Sequence, residues 1–155
     1  MLARDVMSSP VITIRPESPV HAAAALLLSH GFTAVPVVTA DGLVVGMATE
    51  ANLVRGRVVP EGWIGELPPE PTLAMVTTTT PLTFRPDDDL ADVVSLMLEH
   101  NVRSAPIIDD GRLVGIVSRR DVLRSVARRE LTSEDVWRRR MAMRSDERAE
   151  IGRRI

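Results

Sequence analysis

The pattern of hydrophobic and polar positions changes from strand-like to helix-like and back twice along the chain, in the same order. Apolar and polar residues alternate at 11–14 and again at 82–84, which predicts a short strand in each place. Each strand is followed by apolar residues at spacings of three and four, which predict a helix with Ser18 or Asp88 as its N-cap. In the second copy the apolar positions of this helix are Leu90, Val93, Val94, Met97 and Leu98.

Two runs rich in β-branched residues follow each helix, and an Asp-Gly turn separates the two runs. This arrangement predicts a β-hairpin in each copy. The hairpins end at Thr49 and Ser118, residues that favour the N-cap of a final helix. Each copy therefore reads as strand, helix, strand, strand, helix, and the predicted fold class is α+β.

The two copies are also similar residue by residue. A shift of 70 positions places residues 12–38 on 82–108, and past the hairpin turn a shift of 69 places 41–55 on 110–124. A unit of about 45 residues is too small to bury enough apolar surface alone. We therefore expect the two copies to pair face to face and to share one core.

The repeat divides the chain into four segments. Residues 1–56 form the first repeat, 57–71 a proline-rich linker without periodicity, 72–130 the second repeat, and 131–155 an Arg-rich tail predicted to be helical. The tail could contact nucleic acid through its arginines, or it could pack Val136, Trp137 and Met141 on the protein. We favour packing, because acidic residues are interspersed among the arginines.

The composition excludes several kinds of chemistry. The chain contains no Cys and no Lys, so all 19 basic residues are arginines, and neither a thiolate nor a Schiff-base amine is available. The longest apolar run, residues 22–28, is far shorter than a membrane span. The N-terminus lacks an apolar secretion signal, so we expect a cytoplasmic protein that does not contact membranes.

Both copies resemble the CBS domain, and the tandem pair resembles a Bateman module over about residues 3–129. The resemblance rests on the strands TAVPVV and RSAPII, the Asp-Gly turns, and the closing sequences GMATEAN and GIVSRRD. It implies that the repeats are paired by pseudo-twofold symmetry into one module with two clefts, which commonly bind adenine-containing ligands such as AMP, ADP, ATP or S-adenosylmethionine. It implies no chemistry on the ligand, no required cofactor, a homodimer, and an unknown effector protein regulated in trans. A dimerisation scaffold with empty clefts is the alternative.

The sequence GIVSRRD leaves two interpretations of its polar residues open. Ser118 begins a helix, where free backbone N–H groups favour a phosphate, and Asp121 lies one turn along, where its carboxylate can accept hydrogen bonds from a ribose. The same Ser-x-x-Asp spacing is also typical of a capping box. The resemblance favours the ligand site, because members of the family bind ligands at the matching positions.

The first copy differs from the second at the matching positions. Asn52 stands where the second copy has Asp121, although Thr49 matches Ser118. In the family, residues ahead of the apolar strand often contact phosphate; these are Arg103 and Ser104 in the second copy, and Thr33 and Ala34 in the first. An uncharged amide should hold a ribose less firmly, so we predict that the second site binds better. Arg103 could instead pair with Asp109 or Asp110.

The remaining candidates have simpler explanations. The resemblance implies that Ile12, Pro81 and Leu82 wall an adenine ring, and core packing is their alternative role. His21, His30 and His100 are a poor ligand set for a metal, because no nearby carboxylate pattern accompanies them. We therefore predict no metal site and no catalytic residue.

Overall fold

A computed structural model of the chain describes residues 1–79 and 81–128, together with Arg138. The predicted tail, apart from Arg138, lies outside the described residues. The described chain forms two compact units. The first unit comprises residues 12–79, and the second unit combines Met1–Val11 with residues 81–128.

The predicted helix, hairpin and final helix occur in that order in both copies, together with three short elements that were not predicted. They are α1 (Ala3–Val6), α2 (Val20–His30), β1 (Ala34–Val38), β2 (Val44–Thr49), α3 (Glu50–Val54), α4 (Leu73–Val76), β3 (Thr78–Thr79), α5 (Leu90–Glu99), β4 (Ser104–Asp109), β5 (Arg112–Ser118) and α6 (Arg119–Ala127). The expected α+β class is confirmed. Among the described residues, no helix combines the length and apolar character needed to cross a membrane.

The first unit is built on a three-stranded antiparallel sheet in the order β1-β2-β3. The β1–β2 hairpin places Ala34 opposite Thr49, and its register shifts at Val37/Val38. The predicted strand at residues 11–14 is reduced to one parallel bridge, between Ile14 and Val37. The sheet and helices enclose a core of Val20, Ala23, Leu27, Val35, Val37, Ala48, Leu53 and Leu73.

The second unit repeats this arrangement with the β4–β5 hairpin. Ser104 lies opposite Ser118, and Phe84 forms the single parallel bridge to Ile107. Phe84 is almost completely buried and is the largest side chain of the core. The core comprises Ala3, Leu82, Phe84, Val93, Leu96, Met97, Ala105, Ile107 and Val117.

The N-terminal segment of each repeat pairs with the other repeat. The N–H of Ala3 donates to the carbonyl of Asp88, and that of Leu73 donates to the carbonyl of Ser18, both at 2.9 Å. Residues 1–11 thus pack with the second repeat, whereas α4 packs with the first. The two compact units therefore begin and end at other residues than the two sequence repeats do.

The predicted caps of the two long helices were wrong. Asp89, not Asp88, caps α5, because its Oδ1 accepts from the N–H of Ala91 at 2.9 Å. Asp88 closes the preceding turn instead, by accepting from the N–H of Arg85 at 2.8 Å. Helix α2 has Pro19 at the N-cap, with no capping side chain of its own.

An acid from the linker takes the place of that missing cap. Glu70 accepts from the N–H of His21 at 2.6 Å, the same donor position that Asp89 serves in α5. The His21 imidazole also lies 2.8 Å from a Glu70 carboxylate oxygen, and these bonds to His21 lower the pKa of Glu70. The end of the linker is therefore fixed to the start of α2.

Candidate functional site

Four predicted site residues lie together in the second unit, where β4 begins and β5 ends. Ser104 pairs with Ser118 across the hairpin, and the N–H of Arg119 donates to the carbonyl of Arg103 at 2.9 Å. Asp121 is the third residue of α6, which starts directly after Ser118. We call Arg103, Ser104, Ser118 and Asp121 the second-repeat cluster.

Asp121 and Ser118 form a complete capping box. The carboxylate Oδ2 of Asp121 accepts from both the N–H and the hydroxyl of Ser118, each at 2.8 Å. In return the N–H of Asp121 donates to the Ser118 hydroxyl at 3.2 Å. The helix-cap interpretation of this sequence is therefore realised, and any ligand must share Asp121 with the cap.

The second carboxylate oxygen of Asp121 receives a contact that the sequence did not suggest. Its Oδ1 accepts from the Ser8 hydroxyl at 3.1 Å and from Nη1 of Arg124 at 3.2 Å. Ser8 is held in place by backbone bonds to Ile116 in both directions, at 2.9 and 3.1 Å. The shift of 70 that relates the repeats places Ser8 on Thr78, a signal that could have drawn attention to this segment.

Ser104 carries a buried hydroxyl that lacks a hydrogen-bond partner among the described residues. The residue is 8% exposed, and its neighbour across the hairpin is Ser118. Leaving a buried hydroxyl unpaired costs about 1–3 kcal/mol, and such groups in folded proteins often mark a ligand or water site. The first repeat has Ala34 at the matching position, where no such group exists.

The matching residues of the first repeat also lie together, within the first unit. Ala34 pairs with Thr49, and the N–H of Glu50 donates to the carbonyl of Thr33 at 3.1 Å. Oδ1 of Asn52 accepts from the N–H of Thr49 at 3.0 Å and from its hydroxyl at 2.8 Å. This first-repeat cluster of Thr33, Ala34, Thr49 and Asn52 has the same cap geometry without a carboxylate.

The three apolar candidates differ in accessibility. Leu82 is 6% exposed and belongs to the core. Because Phe84 pairs in parallel with Ile107, Leu82 lies nearer to the Ser104 end of β4. Pro81, beside it, is half-buried. Ile12 is 36% exposed in the first unit, so part of its side chain is available for contact. Core packing thus accounts for Leu82.

Positive charge is concentrated around the second-repeat cluster. Arg119 and Arg120 begin α6, and Arg124 follows one turn later. The equivalent positions of the first repeat are Glu50, Ala51 and Arg55, and Thr33 replaces Arg103. Sequence reasoning noted the difference between Arg103 and Thr33. It overlooked the differences at Arg119 and Arg120, although the sequences SRRD and TEAN show them. The field at the second cluster therefore favours an anion far more than the field at the first.

His21 and His30 are engaged in other contacts. His21 contacts Glu70, and His30 stacks on Phe32 with ring centroids 5.1 Å apart. Within residues 1–79 and 81–128, no three potential His, Cys, Asp or Glu ligands are grouped to hold a metal ion.

Comparison with known sequences identifies the family. The CBS domain matches the chain twice, at residues 3–58 and 73–128. The chain belongs to the CBS-domain family. The CBS domain-containing protein YhcV of Bacillus subtilis is 33% identical over 119 residues, which cover 77% of this chain and 81% of YhcV. The resemblance inferred from the repeat is thereby confirmed.

Solved CBS domain pairs share the fold. The pair from protein MJ0100, in complex with 5′-methylthioadenosine and S-adenosyl-L-methionine, has a TM-score of 0.72 and 25% identity, covering 83% of this chain and 98% of that one. The CBSX2 protein in complex with AMP has a TM-score of 0.70 at 24% identity, covering 84% and 98%. Other relatives carry enzyme names, and this chain spans only 23% of the length of two of them.

Proposed function

We propose that this protein is a regulatory module that binds an adenosine-containing ligand at the second-repeat cluster. The observation that carries the proposal is the buried Ser104 hydroxyl, which lacks a partner among the described residues and lies opposite Ser118 at the start of α6. A ligand oxygen at this position would satisfy that hydroxyl. The related domain pair of MJ0100 binds two adenosyl compounds, which supports the choice of ligand class.

The start of α6 is suited to the phosphate of such a ligand. The helix has nine residues, so its first turn presents the positive end of a helix dipole. The N–H groups of Arg119 and Asp121 already donate to the Arg103 carbonyl and the Ser118 hydroxyl, which leaves the N–H of Arg120 to donate to a phosphate. Arg103, Arg119 and Arg120 add positive charge beside these groups. A phosphate there would accept charge-assisted hydrogen bonds, which are stronger than neutral ones.

The remaining parts of the ligand have counterparts within the same unit. In the proposed complex Asp121 accepts hydrogen bonds from the ribose hydroxyls, as a carboxylate with several acceptor sites can. Pro81 and Leu82 supply an apolar wall for the adenine ring. These residues position the ligand, and the proposal assigns them no chemical step on it.

The first-repeat cluster is proposed as the weaker site. Its residues Thr33, Ala34, Thr49 and Asn52 offer no carboxylate and no serine at the Ala34 position, and Glu50 stands where the second repeat has Arg119. An anionic ligand would be attracted there less strongly than at the second repeat. Ile12 is its only apolar candidate. Occupancy of the second site is proposed to act on an unknown effector protein in trans, with the protein working as a cytoplasmic homodimer.

A thermal-shift panel tests the proposal. AMP, ADP, ATP, S-adenosylmethionine and NAD are added in turn, and a ligand at 100 times its Kd should stabilise the protein by about 2.7 kcal/mol. Asp121→Ala should weaken binding more than the matched control Asn52→Ala. The opposite ranking would refute the site. If none of the five compounds stabilises the protein, the result would favour a dimerisation scaffold with empty clefts.

A second assay tests the nucleic-acid alternative. If the Arg-rich tail binds DNA or RNA, retention should depend on salt and be lost when residues 132–155 are removed. Absence of retention by the full chain would exclude that role.

A further inference from the structure

Asp121 is the residue proposed to bind the ribose, and all acceptor positions of its carboxylate are already occupied within the protein. Each carboxylate oxygen has about two lone-pair sites. The N–H and hydroxyl of Ser118 fill those of Oδ2, and the Ser8 hydroxyl and Arg124 fill those of Oδ1. A ribose hydroxyl can therefore bond to Asp121 only by displacing one of these donors.

We propose that Ser8 is a built-in competitor for the ribose-binding oxygen of Asp121, and that it lowers the affinity of the site. This inference rests on the proposed function and adds a regulatory contact to the same site. The competitor comes from 113 residues away in sequence, from the N-terminal segment of the first repeat. Affinity at the second repeat thus depends on the chain's first eight residues.

Ser8 is the donor that can be displaced without removing the helix cap or a positive charge. The Ser118 bonds hold the start of α6, so their loss would also remove the cap. Arg124 brings a positive charge that offsets the carboxylate charge, and it can keep a monodentate contact while a ligand binds. The Ser8 backbone is fixed by Ile116, so its hydroxyl can rotate toward water without moving the chain. Ser8 is exposed, and water can replace the lost bond.

Removing the competitor should tighten binding. With Ser8→Ala, the ligand no longer has to break a hydrogen bond to a carboxylate, and the affinity for AMP should rise about fivefold. The effect should be specific to ligands with ribose hydroxyls. The affinity for 2′,3′-dideoxyadenosine 5′-monophosphate, which has none, should not change, and this separates competition from a general loosening of the site.

The experiment is a calorimetric titration of the full chain with AMP and with the dideoxy nucleotide. Ser8→Thr keeps the hydroxyl and should bind both as the wild type does. Ser95→Ala removes a serine on α5 whose hydroxyl bonds only within that helix, to Glu99 at 3.2 Å, and is the matched control. Ser8→Ala should tighten AMP alone.

Each other outcome is decisive. Unchanged or weaker AMP binding by Ser8→Ala, with wild-type binding intact, would overturn this inference and leave the proposed function standing. Equal tightening of AMP and the dideoxy nucleotide would show loosening instead of competition, and would also overturn it. Failure of AMP to bind to the wild type and to Ser8→Ala alike would refute AMP as the ligand and this inference with it.

Discussion

Replacing Asp121 with alanine should destabilise the unliganded protein more than replacing Asn52, because the Asp121 carboxylate also accepts from Ser8 and Arg124, beyond the cap bonds that both residues make. Asp121 is 6% exposed, and its carboxylate accepts from Ser8 and Arg124 in addition to Ser118, whereas Asn52 is an uncharged amide whose Oδ1 accepts from Thr49. In both variants the cap hydroxyl still accepts from the backbone N–H at the altered position. The difference therefore reports the carboxylate's additional contacts.

The magnitudes follow from the individual contacts. Loss of the reciprocal half of a capping box costs about 1 kcal/mol, which applies to both positions. Asp121→Ala also loses the Ser8 bond to a charged group, worth about 1.5 kcal/mol. Arg124 is 58% exposed, and its ion pair adds less than about 0.5 kcal/mol. We expect a loss of about 2–3 kcal/mol for Asp121→Ala and about 1 kcal/mol for Asn52→Ala.

Urea denaturation followed by far-UV circular dichroism measures both losses. Asp121→Asn is the internal control, since it gives the second repeat the side chain that the first repeat uses, and its loss should lie between the other two. Equal losses for the two alanine variants, or a smaller loss for Asp121→Ala, would refute the bond assignment around Asp121.

Three further predictions concern other contacts. Ser104→Ala should leave the unliganded protein as stable as the wild type, or stabilise it by up to about 1 kcal/mol, and it should weaken AMP binding. A clear loss of stability in urea would contradict the assignment of the Ser104 hydroxyl as unpaired. Glu70→Gln should lower the unfolding midpoint near neutral pH through its weaker cap. The pKa of Glu70 is lowered in the folded protein. The difference in unfolding midpoint between the wild type and Glu70→Gln should therefore be present above the ordinary glutamate pKa of about 4.3, and it should vanish as the pH falls through the lower pKa of the folded protein. A difference that does not depend on pH would contradict this prediction. Gly115→Ala should lower the free energy of unfolding by about 1–3 kcal/mol and speed amide exchange in residues 1–8, because the new Cβ would lie 2.9 Å from Cγ of Met7. Met7→Ala in the same protein should suppress this loss, and additive losses from the two substitutions would contradict the prediction.

Short-range sequence patterns predicted much of the fold. The two hairpins and the caps at Thr49 and Ser118 are confirmed, because turn and cap chemistry depend on residues within a few positions of one another. The repeat allowed the matching residues of the two copies to be identified, and these do lie at equivalent places in the two units.

Long-range contacts could not be predicted in the same way. The Ser8–Asp121 and His21–Glu70 pairs join residues 113 and 49 positions apart, and periodicity within one segment carries no information about such pairings. The cap at Asp89 was missed for a different reason. The run Asp87–Asp88–Asp89 offers three acids in a row, and only the backbone geometry decides which one caps α5.

The central claim is that the second-repeat cluster is an adenosine-ligand site, and an NMR titration of the labelled protein with AMP tests it most directly. The account predicts that the amide signals of Ser104, Ser118 and Asp121 shift together and saturate before those of Thr49 and Asn52. Shifts that begin at the first-repeat cluster, or that leave Ser104 and Ser118 unchanged while AMP binds elsewhere, would contradict it.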